Sequence, residues 1–184
     1  MNLSESTSDV YLYGYEAIDE RYPKHSSDAS FAHANSQYPS VVIETSYSQH
    51  QKELTRLADE YVSGSDGNIA MVLGLDIEYG VGSKKASLFI WRSRLVSVPE
   101  KEEAVLLETF SVREVDVFRA DDGTTVPGQG LSLQLYDFAL KSCFANIAQQ
   151  TQSTTVVRIT CAQLCSFLYD AEIRHDIKRA QRGV

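Results

Sequence analysis

The feature that most constrains this chain is an uninterrupted alternation of segment types between residues 38 and 92. Val41-Val42-Ile43 is a β-branched run of the kind found in buried strands, with Pro39 at its start, where a missing N–H does least harm. A helix then runs from Ser48 or Gln49 to about Val62. Its Leu54, Leu57, Ala58 and Tyr61 fall at i, i+3, i+4 and i+7 and make one apolar face. Gly64-Ser65-Asp66-Gly67 ends the helix, its glycines suited to a left-handed cap and a turn. Asn68–Tyr79 reads as a long central strand, apolar as far as Asp76. After turn chemistry at Gly80–Lys85, Ala86–Arg92 alternates into an antiparallel partner strand. The result is a strand–helix–strand–strand core, which predicts an α/β domain.

Around this core the signals are shorter. Residues 1–25 read as a flexible arm, with an apolar-aromatic patch at Val10–Tyr15 suited to a strand or a first helical turn, and 26–184 as a single domain. A short strand is expected around Ala29–His33, and further strands near Leu106–Phe118 and Leu131–Leu135, separated by a tight turn at Ala120–Gly123. Phe138–Gln149 reads as helical and Val156–Ile159 as a short strand. Thr160 offers an N-cap hydroxyl to a C-terminal helix of about twenty residues. Leu164, Phe167, Leu168 and Ala171 form its apolar stripe, and its end is basic.

Bulk properties narrow the function. A formal charge of −8 opposes non-specific nucleic-acid binding, which draws on Lys and Arg neutralising phosphates. Cys143, Cys161 and Cys165 are too few and too odd in number for a disulfide framework, so a reducing, intracellular setting, cytoplasmic or nuclear, is expected. Cys161 and Cys165 share a helix face and read as small buried apolar groups. No apolar run approaches the roughly 20 residues needed to span a bilayer, and the polar, acidic N-terminus does not read as a signal peptide. No Gly-x-Ser-x-Gly elbow or glycine-rich phosphate loop occurs, which argues against serine hydrolases and nucleotide-binding enzymes.

What remains is carboxylate chemistry. Asp28 precedes one short strand and Glu44 ends the Val-Val-Ile strand. If those strands pair as a hairpin, the two carboxylates approach closely enough to share Mg²⁺ or Mn²⁺, which prefer hard oxygen ligands. A turn aspartate and an exposed strand-end glutamate are the plainer readings. Asp76 and Glu78, two apart on one strand face, form a rival pair. Gln49 at the helix start either orients a water or phosphate or caps the helix. Lys52 sits in the first helical turn, a poor place for a cation. Trp91 alternates with core positions and reads as packing.

At these residues the sequence resembles a known family. Ser27-Asp28-Ala29-Ser30-Phe31, Tyr38–Gln49 (YPSVVIETSYSQ), Leu54–Tyr61 (LTRLADEY), Gly64–Ile69, Gly74–Tyr79 (GLDIEY) and Ser87–Arg92 look like a domain widespread in filamentous fungi. That domain is similar to a restriction-endonuclease family abundant in cyanobacteria, a branch of the PD-(D/E)XK phosphodiesterase superfamily. The resemblance covers roughly residues 26–140. It implies a restriction-endonuclease-like mixed central sheet flanked by helices and a Mg²⁺-dependent endonuclease acting on DNA or RNA, which in many nucleases of this fold is a homodimer. Asp28 and Glu44 would hold the metal, and Gln49 and Arg56 would contact substrate. The lysine that polarises the attacking water belongs two residues after the glutamate, where this chain has Ser46. In related branches it moves into the following helix, so Lys52 is the expected catalytic cation, with Arg56 also in reach. The bacterial helix lysine, however, falls at Leu57, and Ser27 stands where the motif has proline. The alternative is a catalytically inactive nuclease-fold module that binds protein or nucleic acid.

Overall fold

The computed structural model describes residues 10–13, 27–33, 36–47, 51–78, 82–97, 105–138 and 156–182. Its centre is a six-stranded mixed sheet in the order β1-β2-β3-β4-β5-β6, built from Val10–Tyr13, Ala29–His33, Val41–Tyr47, Met71–Ile77, Ala86–Ser97 and Val105–Arg119. All neighbours are antiparallel except β3 and β4, which are parallel. The connection between those two is the helix α1, Gln51–Gly64, since parallel strands need a crossover. A second, two-stranded antiparallel sheet pairs β7 (Leu131–Gln134) with β8 (Val156–Ile159), and the C-terminal helix α2 spans Cys161–Gln181. The protein is thus a mixed α/β structure with a C-terminal helix.

The apolar runs at residues 41–43 and 71–75 are continuous because both sheet faces are buried. On one face Val42, Val72, Phe89 and Trp91 meet Leu54, Ala58, Tyr61 and Val62 of α1. On the other, Val41, Met71, Leu73, Ile77, Leu88 and Ile90 pack with Phe118, Leu131, Leu133 and Cys161, and Leu164, Cys165 and Leu168 of α2 close over them. A strand with one wet face would alternate instead. Gly74 marks the tightest point. A Cβ there would stand 2.7 Å from the Trp91 ring, which itself stacks on Phe89 at a centroid distance of 5.5 Å.

Of the two readings of the apolar-aromatic patch, the strand holds: Val10–Tyr13 pairs with β2 at the sheet edge. Other expectations are corrected. The central strand is shorter than 68–79, because Asn68 and Ile69 are tied to the preceding turn through Ser65. The left-handed turn expected within Gly64–Gly67 falls at Asp66 and Gly67 (φ 51° and 70°). Leu135 leaves β7 to begin a turn of 3-10 helix, Leu135–Phe138, and the rest of the expected helix to Gln149 lies outside the described residues.

Thr160 caps α2 as expected. Its hydroxyl accepts the Gln163 N–H, and the Gln163 side chain accepts the Thr160 N–H at 2.9 Å. The inward stripe is the buried Cys161 with the half-buried Leu164, Cys165 and Leu168, whereas Phe167 is 56% exposed and Ala171 is exposed. Two contacts with β6 select this face. The Cys165 thiol donates to the Phe118 carbonyl, and Arg119 holds Glu172 through both guanidinium nitrogens at 2.8 and 3.0 Å. No helix among the described residues is long and apolar enough to cross a membrane.

Candidate carboxylate site

The β2–β3 hairpin pairs Phe31 with Val41, Ser30 with Val42 and Ala29 with Ile43. One step further along this register brings Asp28 level with Glu44. Asp28 has left the strand, is exposed, and turns its carboxylate onto the backbone: Oδ2 accepts the Thr45 N–H at 2.7 Å. A side chain thereby continues the ladder where the strand stops. Glu44 sits in the middle of β3, not at its end, and is half-buried. Strand alternation puts it on the α1 side with Val42, and there Tyr61 donates its hydroxyl to Glu44 Oε1. A carboxylate leaving water needs such partners. The hairpin register therefore sets Asp28 and Glu44 level on neighbouring chain segments.

It also adds a residue that sequence reasoning grouped differently. In the parallel β3–β4 ladder Glu44 faces Gly74 and Ser46 faces Asp76. Glu44, Ser46 and Asp76 therefore share the α1 face, with no side chain at Gly74 between them. Glu78 follows β4, and its backbone N–H donates to the Lys85 carbonyl. Only the parallel pairing reveals this grouping. Tyr61 is the other missed partner: its ring fits the apolar helix face, and the spacing of that face does not report what the hydroxyl touches.

The cations are less well placed. Ser46 is buried and carries no charge. Lys52 lies exposed in the first turn of α1, beside the acidic Glu53. Arg56 is exposed and pairs with Glu60 one turn along its own helix. Gln49 lies outside the described residues.

Among the described residues no group of at least 3 His, Cys, Asp or Glu side chains is arranged to hold a metal ion. Two carboxylates do not make a closed protein cage. Their hard-oxygen chemistry does fit Mg²⁺ or Mn²⁺, which commonly take one or two carboxylates and complete the shell with water and substrate phosphate. The other ion pairs are structural. Arg92 grips Asp137, which is 1% exposed and also accepts the Gln134 N–H, so that the 3-10 helix docks on β5.

In comparison with known proteins, the chain matches no family model, no curated protein and no solved structure.

Proposed function

We propose that this chain is a nuclease-like domain in which Asp28 and Glu44 bind a divalent cation for the hydrolysis of nucleic-acid phosphodiester bonds. The observation that supports this reading is the hairpin register that carries Asp28, just before β2, level with Glu44 in the middle of β3 of a mixed sheet. That sheet, with a helix between its parallel strands, is also the kind of scaffold implied by the likeness to restriction-endonuclease domains. The Thr45 N–H orients Asp28 and the Tyr61 hydroxyl orients Glu44. A bound Mg²⁺ or Mn²⁺ would offset charge on the non-bridging phosphate oxygens and acidify a coordinated water. Lys52, on a flexible four-carbon stem at the start of α1, is the side chain that would stabilise the attacking water from the helix.

A second reading is favoured by one specific observation, the buried Ser46 in place of a lysine. Under it, the scaffold serves as a binding module without cleavage. Calorimetric titration with Mn²⁺ should show binding that Asp28→Ala abolishes, and a plasmid-nicking assay with Mg²⁺ should show cleavage lost in Glu44→Ala. Metal binding without nicking selects the module. No metal binding at all sinks the phosphodiesterase.

A further inference from the structure

A cavity of about 280 Å³ opens at the far ends of β3 and β4, lined among the described residues by Tyr47, Ile77, Leu168, Ala171, Glu172 and His175. Tyr47 and Ile77 are the last residues of the two parallel strands and stand opposite each other in register. In open α/β sheets ligands gather beyond the carboxyl ends of the strands. Ligand pockets run from roughly 300 Å³ upward. This cavity is therefore at the small end and takes one ring system, not an extended molecule.

Its walls specify the ring. Ile77, Leu168 and Ala171 form an apolar slot, and Tyr47, left 62% exposed at a strand end, presents an aromatic face for stacking. The lining groups Glu172 and His175 both come from α2. Glu172 is clamped by Arg119, itself only 3% exposed, with donor distances of 2.8 and 3.0 Å. A carboxylate has about four lone-pair sites, so the clamp fixes Glu172 while leaving acceptor capacity on its two oxygens. Charge-assisted bonds from N–H donors to such a fixed carboxylate are strong and directional. His175 follows Glu172 by three residues on the same helix and lines the same rim.

We infer that this cavity binds a nucleobase bearing an exocyclic amino group, stacked on Tyr47 with its amino edge toward Glu172. Uracil offers carbonyl oxygens along much of that edge and is the disfavoured base. The cavity is separate from the carboxylate pair. Tyr47 and Glu44 are three apart on one strand and point to opposite faces, toward α2 and α1 respectively.

The test uses nucleosides, because the net charge of −8 opposes a phosphate, and it runs in EDTA so that it does not depend on metal. Adenosine, guanosine, cytidine and uridine are titrated into the whole chain by calorimetry. The three amino-bearing nucleosides should bind about tenfold or more tightly than uridine. Glu172→Gln would leave the buried Arg119 short of charge and threaten the fold, so the pocket is probed by Tyr47→Ala and Ala171→Leu, both at exposed positions. Each should weaken binding by about tenfold or more while the circular dichroism spectrum stays that of the wild type. Uridine binding as tightly as the others, or affinity that survives both substitutions, overturns the assignment, as does no binding by any nucleoside. Loss of Mn²⁺ binding in Asp28→Ala bears only on the carboxylate site.

Discussion

Tyr61, in the last turn of α1, donates its hydroxyl to Glu44 in the middle of β3, joining the helix to the strand it follows beside the apolar cluster of Val42, Leu54, Ala58 and Val62. Phenylalanine at position 61 keeps the ring packing and removes the donor, leaving a half-buried carboxylate short of one hydrogen bond. Tyr61→Phe should cost about 1–3 kcal/mol in urea unfolding. With Glu44 also replaced by leucine, most of that cost should disappear; a loss that persists in the double variant would show that Tyr61 acts through packing alone.

Gly74→Ala should destabilise by about 1–3 kcal/mol, because the new methyl lands 2.7 Å from the Trp91 ring in a packed layer. Trp91 is the only tryptophan, so its fluorescence reports the displacement directly. Unchanged emission together with unchanged stability would contradict the packing described.

The Arg92–Asp137 pair predicts asymmetry between single and double replacement. Asp137→Asn strands a mostly buried guanidinium and should cost about 3–5 kcal/mol, and it should speed hydrogen exchange at the Gln134 amide. Arg92→Met with Asp137→Leu should cost less than Asp137→Asn alone. A double variant that is worse than either single one would refute the account.

Asp122 should titrate below its ordinary 3.8, because the Thr124 hydroxyl and then the Thr124 N–H stabilise its ionised form. A pKa lowered by folding means that the contribution is present above pH 3.8 and disappears as the pH falls through the folded value. Carboxyl NMR titration checks the midpoint, and Thr124→Val should raise it. A midpoint at or above 3.8 in the wild type would disprove the turn geometry.

Much of the framework is readable in local chemistry. Thr160 with Gln163 announces the start of α2, and Ala120–Gly123 announces its turn, because the groups that satisfy each other lie within a few residues. The pairing of Asp28 with Glu44 is also legible, since a short hairpin converts sequence order into register. Asp76 is harder: its partnership with Ser46 exists only once β3 and β4 lie side by side in parallel. The face of α2 is harder still. Phe167 satisfies the helical spacing of a buried stripe as well as Cys165 does, and the choice between them depends on contacts with Phe118 and Arg119, some fifty residues away.

By itself the amino-acid order marked the central strands, α1 and α2, and the burial of both faces of the central strands. Those properties follow from periodicity, capping and short loops, which act over a few residues. Tertiary structure alone decided that Tyr61 would hold Glu44, that Asp137 would bury itself against Arg92, and that Glu172 would be locked by Arg119 beside a cavity. Each of these is a charge or hydroxyl removed from water, and its partner is whichever group the packed sheet brings within hydrogen-bond reach.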